Sequence, residues 1–480
     1  MKKINNNLTL LAALCVALLL GCSKQEAPAP SESVQVSSPA LQNPDEPAET
    51  NSPFVTVEGN QFFRNGQPYY VIGTNFWYGG YLGSTGDIGD RERLIKELDL
   101  LQQTGINNLR VLAVSESSEL MRAVRPAIIK APGEYDETLL AGMDFLLDEM
   151  AKRDMTAILY LNNFWQWSGG MSQYVAWFTG KPVFDPDVTN EWNPFMENSA
   201  SFYRIEEAQK LYRDVIKAVI TRKNTINGKR YSEDPTIMSW QLANEPRPGS
   251  DADGRANFEA FKNWIHDTAK YIDSLAPNQL VSTGNEGSMG AIRDMELFID
   301  SHKSEYVDYL TFHMWVKNWG WYDAKNPDET FSSALATAKD YINQHIDVAN
   351  QMNKPIVLEE FGIERDNGSF TTDSTTVYRD RFYAEIFNLL RTRAGAGDAI
   401  AGMNFWAWGG YGRTENKDFM WKEGDDFVGD PPQEPQGLNS VFDVDTTTLA
   451  VIKAHADAMK DITTKQSMHC YGMAPSDVVM

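Results

Sequence analysis

Thr156-Ala157-Ile158-Leu159-Tyr160-Leu161 is a run without charge and without alternation of polar and apolar side chains. A strand with one wet face alternates. A continuously apolar run suits a strand covered on both faces, the usual state of a parallel sheet flanked by helices. The flanking segments agree, since residues 136–153 and 202–222 read as amphipathic helices. In Arg91–Gln103, Leu94, Leu98 and Leu101 recur at spacings of four and three, which makes one buried stripe.

Outward from this run the same unit repeats. Short apolar runs near 70–76, 107–113, 156–162, 236–243, 279–284, 308–314, 355–360 and 401–406 alternate with helical stretches. Those lie near 90–103, 136–153, 202–222, 256–275, 290–303, 331–352, 376–394 and 447–463. Eight strands alternating with eight helices predict an α/β fold, a single (β/α)8 TIM barrel over residues 54–480. The competing arrangement is an open doubly wound sheet, but no Gly-x-Gly-x-x-Gly follows a strand and no Gly-Lys-Ser/Thr phosphate loop occurs. Phe54–Tyr70 predicts a short N-terminal β-hairpin, with Gly59-Asn60 between two β-rich runs and Asn65-Gly66 as the next turn. The connections Asn163–Ala200 and Gly409–Thr446 are long, and both follow strand C-terminal ends, where barrel active sites are built. Trp165, Trp167, Trp177 and Trp192 lie in the first, and Trp408 and Trp421 in or beside the second.

The chain has 480 residues, 43 Lys+Arg and 66 Asp+Glu, hence a formal net charge of −23. Length alone suggests about three domains, but single α/β barrels also run to about 400 residues. A 42% hydrophobic content is too high for a disordered chain. The acidity argues against nucleic-acid or anionic-membrane partners, which bind Lys/Arg patches, and predicts a self-repelling monomer with a neutral or cationic ligand. The 13 tryptophans suit the flat faces of sugars and, equally, a Trp-rich core. Three cysteines, Cys15, Cys22 and Cys470, exclude a disulfide scaffold and a Cys-rich zinc site. No His-Glu-x-x-His motif or close His/Asp cluster calls for a metal, and no cofactor is expected.

Lys2 and Lys3 precede an apolar run, Leu8–Leu20, too short to span a membrane stably and typical of a secretory signal. Leu19-Leu20-Gly21-Cys22 resembles a bacterial lipobox, which implies a lipidated Cys22 at the mature N-terminus; the alternative is a plain secretion signal over 1–22. Ser23 in place of an acidic retention residue implies, by resemblance to bacterial sorting, the outer membrane. Residues 23–53, rich in Pro, Ser, Ala and Glu, read as a disordered tether.

The chemistry sits at strand ends. Strand four closes in Trp240-Gln-Leu-Ala-Asn244-Glu245-Pro246 and strand seven in Pro355-Ile-Val-Leu-Glu359-Glu360-Phe361-Gly362. A carboxylate ending an apolar run is costly unless paired or used. Two of them across a barrel mouth are the minimum machinery for glycoside hydrolysis, one a proton donor and the other an ionised base or nucleophile. Strand alternation sends Glu359 and Glu360 to opposite faces, so one alone is expected in the lumen.

Asn244-Glu245-Pro246 and Glu360-Phe361-Gly362, with Arg110, His313 and Trp406 each at the end of a different strand, resemble glycoside hydrolase family 5 over residues 54–465. The runs His313-Met-Trp-Val-Lys-Asn-Trp-Gly-Trp321 and Asn404-Phe-Trp-Ala-Trp-Gly-Gly410 look like its β-mannanase branch. The resemblance implies Glu245 as acid/base and Glu360 as nucleophile of a retaining double displacement, with Glu359 a structural carboxylate between barrel and helices. It implies that Arg110 keeps Glu360 ionised and that Asn244 and His313 bond sugar hydroxyls. Trp406 is then the floor of the site, with Trp315, Trp165 and Trp77 also against the sugar. Many relatives carry a Tyr two residues after this His; Trp315 stands there and has no phenol. The implied substrate is β-1,4-mannan, glucomannan or manno-oligosaccharide. The alternatives are a β-1,4-glucanase on the same scaffold and a non-catalytic glycan-binding lipoprotein. His266, His302, His345, His455 and His469 are read as structural.

Overall fold

The computed structural model describes residues 52–470. They belong to one unit, Glu49–Met480. The expected signal, Cys22 and tether residues 23–51 lie outside the described residues.

Eight parallel strands are present: β1 (Val71–Asn75), β2 (Asn108–Leu112), β3 (Thr156–Tyr160), β4 (Ile237–Gln241), β5 (Leu280–Ser282), β6 (Leu310–Met314), β7 (Ile356–Phe361) and β8 (Ile400–Phe405). Their order is β5-β4-β3-β2-β1-β8-β7-β6, so β1 pairs with β8 and the sheet curls into a barrel. Across the remaining seam, β5 to β6, no ladder joins the strands. The seam is bridged by the Asp308 N–H on the Val281 carbonyl (2.9 Å) and by the Val281 N–H on the Asp308 carboxylate (2.6 Å). The Thr311 hydroxyl adds a bond to the Asn285 carbonyl (2.9 Å).

The enclosing helices are α1 (Arg91–Thr104), α2 (Glu137–Lys152), α3 (Glu206–Ile220), α4 (Phe258–Leu275), α5 (Met295–Ser301), α6 (Pro327–Met352), α7 (Val377–Gly395) and α8 (Thr446–Cys470). Aspartates start three of them. Asp90, Asp136 and Asp294 each accept first-turn N–H groups that no helical carbonyl can reach. Every expected strand and helix is found close to its expected range.

The N-terminal segment is a three-stranded meander, Thr56–Glu58, Gln61–Arg64 and Gln67–Tyr69, where a two-stranded hairpin was expected. Asn65 and Gly66, both at positive φ, form a second tight turn that returns the chain once more. The meander carries Phe62 against Tyr309, ring edge to face at 5.3 Å, beside Val71, Ile158, Met238, Val357 and Ala401. That apolar plug fills the N-terminal end of the lumen and leaves the C-terminal end for polar groups.

Both long connections fold against that end. The first contains helices Gly170–Thr179 and Trp192–Ala200. The second wraps around buried Asp430, whose carboxylate accepts the N–H groups of Gly437 and Asn439, each at 2.8 Å.

Candidate active site

Glu245 follows β4 with φ of 50°, in the left-handed region. For a non-glycine residue this costs on the order of 1–3 kcal/mol and persists where the surroundings over-determine it. Here the Glu245 N–H donates to the Gly284 carbonyl (2.9 Å), and the preceding carbonyl, of Asn244, accepts the Phe164 N–H (3.0 Å). The turn aims the carboxylate at three donors. His313 Nδ1 lies 2.6 Å from Oε1, Trp315 Nε1 donates to Oε1 at 3.1 Å, and Trp165 Nε1 donates to Oε2.

On β7 the alternation fails. Leu358 pairs with Phe312 and Glu360 with His313, so Glu359 is an extra residue in the ladder. Such a bulge turns neighbouring side chains toward one face. The expectation that Glu359 sits between barrel and helices is corrected: its carboxylate accepts from Gln241 Nε2 (2.5 Å) and the Tyr309 hydroxyl (3.3 Å), inside the lumen and beneath Glu360. Burial, opposed by Arg110, raises its pKa.

Arg110, fully buried on β2, connects the strands. Nη1 donates to Glu360 and to Asn75 Oδ1 (3.1 Å), Nη2 to Asn244 Oδ1 (2.8 Å) and Nε to Gln241 Oε1 (2.8 Å). Its guanidinium lies 4.7 Å from the Tyr160 ring centroid, and that ring backs the fork.

His313 was expected to bond a sugar hydroxyl. The structure instead places it, fully buried, between the two acids, with Nδ1 2.6 Å from Glu245 and 3.3 Å from Glu360. Burial alone would lower its pKa, but the charges of Glu360 and Glu245 outweigh burial and push it up to about 9. Glu245, His313 and Glu360 each bring a donor atom within 4.8 Å of the others, a spacing compatible with a metal ion. Two carboxyls and an imidazole this close can also pass a proton among themselves.

Glu245 and Glu360 open into a cavity of about 490 Å3. Trp165 and Trp192 line it from the β3 connection, Trp315 and Trp319 from the β6 loop, and Trp406 with Glu434 from the β8 side. Trp406 meets Trp315 edge to face at 5.7 Å, and its indole N–H points at Glu434 (3.4 Å). Asn244 lines the cavity as expected, although its Oδ1 is committed to Arg110. Trp77 does not reach it: the ring is buried among Tyr78, Tyr81, Trp167 and Phe427, and its N–H donates to the carbonyls of Val428 and Gly429. It anchors the β8 loop and is no sugar platform.

Several residues escaped the sequence reading. Asn75 ends β1 as Arg110 lies on β2, a parallel that strand-end logic would have caught. Arg247 follows Glu245-Pro246 directly and pairs with Glu286 (2.5 Å), while its guanidinium lies 5.5 Å from the Trp165 ring centroid. Glu434, in Pro431-Pro-Gln-Glu-Pro435, carried no signal, since only the loop's path brings it over Trp406. Burial and the charge of Asp430 push its carboxyl up to about 8. His302, His345 and His455 are buried, and burial pushes them down to about 4, 4 and 3.

A (β/α)8 barrel with two acids facing each other across an aromatic cavity, one braced by Arg and both touched by His, defines a glycoside hydrolase. A family model described as GH family 5 β-mannosidase-like matches residues 52–464, and the chain belongs to that family. A family 5 mannosidase from Rhizomucor miehei, solved in complex with mannosyl-fructose, is 37% identical, with TM-score 0.80 over 87% of this chain and 100% of that one. Mannan endo-1,4-β-mannosidase 4 of Solanum lycopersicum is 30% identical over 77% of this chain and 86% of its own length. The endo-β-1,4-mannanase of Thermotoga petrophila shares the fold at TM-score 0.58 and 22% identity.

Proposed function

We propose that the chain is a retaining β-mannoside hydrolase. The observation that carries this is the closeness of the acids: an oxygen of Glu245 lies within 4.8 Å of one of Glu360. Inverting enzymes hold their carboxyls about 6.5–9.5 Å apart to admit a water, whereas retaining ones hold them about 5–5.5 Å apart. Glu360 attacks the anomeric carbon, and the C–O bond to the leaving group breaks toward oxygen, which takes a proton from Glu245. Glu245 then takes a proton from water, which attacks the glycosyl ester and frees Glu360. Trp406 is the floor of the reacting sugar, and Trp165 and Trp315 steady Glu245. The mannosidase-like family match supports β-1,4-mannosidic bonds, and the cavity, hemmed by both long connections, favours short manno-oligosaccharides.

Mannohexaose and cellohexaose digests followed by NMR test this. Mannohexaose is expected to be cleaved faster, with the β-anomer appearing first. Preferred cleavage of cellohexaose overturns the mannoside reading, and an α-anomer first overturns retention. The time course also separates end-wise from internal cleavage. Azide should rescue Glu245→Ala on a dinitrophenyl β-mannoside to a β-azide, and Glu360→Ala to an α-azide, because in the second case it attacks from the vacated face.

We further propose outer-membrane anchoring as a monomer through a lipidated Cys22, supported by Leu19-Leu20-Gly21-Cys22. Cys22→Ala should move the enzyme out of the membrane fraction. A wild type that is already soluble overturns the anchor.

A further inference from the structure

Glu359 is a fully buried acid that the mechanism above leaves idle. It shares one cation with Glu360, since Arg110 Nε lies 3.6 Å from Glu359 Oε2 while Nη1 contacts Glu360. The Gln241 amide ties the two together. Its oxygen accepts from Arg110 Nε (2.8 Å) and its nitrogen donates to Glu359 (2.5 Å) and to the Ser282 hydroxyl (3.0 Å). The other acceptors of the guanidinium, on Asn75 and Asn244, are neutral amides.

Formation of the glycosyl-enzyme moves charge. The Glu360 carboxylate becomes a neutral ester, the glycosidic C–O electron pair leaves on oxygen, and the proton from Glu245 leaves a carboxylate there. Negative charge thus passes from the Arg110 side of the site to the donors around Glu245. A buried guanidinium without a counter-ion is strongly unfavourable. The carboxylate still within reach of Arg110 is Glu359.

We propose that Glu359 is a positioning residue that acts through Gln241 and Arg110: it is the counter-ion Arg110 keeps while Glu360 is esterified. The charged and titratable groups facing it are Arg110 from β2, Tyr309 and His313 from β6 and its approach, and Glu360 on its own strand. Loss of the Glu360 charge removes a repulsion and favours ionised Glu359. In the free enzyme Glu359 competes for Arg110 and leaves Glu360 more nucleophilic. Glu359 therefore speeds glycosylation and does not speed release, an asymmetry that a merely structural residue would not produce. This inference rests on the double-displacement reading.

The test traps the full-length enzyme with 2-deoxy-2-fluoro-β-mannosyl fluoride and follows inactivation, reactivation and the labelled peptide. Glu359→Gln should be inactivated at least tenfold more slowly than wild type and should reactivate no more slowly. Glu359→Asp, which keeps the charge, should recover most of the loss. Inactivation of Glu359→Gln at the wild-type rate, or an equal fall in both rates, overturns the proposal. In wild-type enzyme carrying 13C-labelled glutamate side chains, the Glu359 carboxyl should titrate at lower pH once Glu360 is trapped; an unmoved titration overturns the proposal whatever the variants' folding. A wild type that forms no adduct on Glu360 overturns the double displacement itself, a different outcome from an adduct with unchanged Glu359→Gln kinetics.

Discussion

His313 Nδ1 lies 2.6 Å from Glu245 Oε1, with the ring fully buried. The ring faces both acids, since Glu360 is its second neighbour. Its pKa is raised to about 9 in the fold, against about 6.5 unfolded. A raised cation contributes stability that is whole below pH about 6.5 and lost as pH rises through about 9, at most about 3 kcal/mol. Calorimetry at pH 6 and pH 9.5 should show a fall in Tm from this source that His313→Ala lacks. The same variant should lose on the order of 100-fold in kcat, as when a single preorganised donor is removed.

Trp165→Phe keeps a ring against Phe195, stacked at 6.3 Å and 19°, but removes the N–H that meets Glu245. A hydrogen bond to a charged group contributes roughly 1.5–3 kcal/mol. Turnover of natural oligosaccharides should fall about 10–100-fold. The glycosylation rate of a dinitrophenyl glycoside, which needs little protonation, should change far less, and stopped-flow burst rates distinguish the two.

Trp406→Ala removes a cavity wall that also braces Trp315. Loss of an aromatic platform costs roughly 1–3 kcal/mol, so kcat/KM should fall about 5–150-fold on every substrate. An unfolded variant whose surviving fraction keeps full specific activity would mark Trp406 as core.

Glu116 holds the loop that carries Trp165. Its carboxylate accepts the Gly170 N–H (2.8 Å) and its own N–H donates to the Ser168 carbonyl (2.7 Å). Burial pushes its pKa up to about 8. A raised acid is favoured while neutral, so its contribution is whole below pH about 4.5 and lost as pH rises through about 8. Glu116→Gln should match the wild-type Tm near pH 4 and exceed it by several degrees at pH 9, with a flatter decline of activity on the alkaline side.

The repeating unit was legible in the order of residues because strand and helix periodicities are local properties. A continuous apolar run and a Leu stripe need no partner to be recognised. Carboxylates at the ends of strands four and seven were legible for a related reason: a carboxylate that ends an apolar run conflicts with burial unless it has a task, though the choice of Glu360 over Glu359 came from the family resemblance. Periodicity also misled where the pairing was irregular. Strand alternation allowed one of Glu359 and Glu360 in the lumen, and with Glu360 chosen by resemblance it left Glu359 outside the barrel; only the β6–β7 register, with its extra residue, turned Glu359 inward as well. His313 sat at the expected strand end, yet its partners are the two acids, because distances between strands β4, β6 and β7 are set by barrel closure. Trp77 looked like the other strand-end tryptophans and is covered by Phe427, more than 300 residues later in the chain. Glu434 had no signal, since a loop residue acquires its neighbours from the path of the backbone, and here Asp430 fixes that path. What periodicity and strand-end chemistry determined were the barrel and the two strand ends that carry carboxylates. Which side chains share one cation, which ring meets the cavity and which merely supports it were decided by packing between segments far apart in the chain.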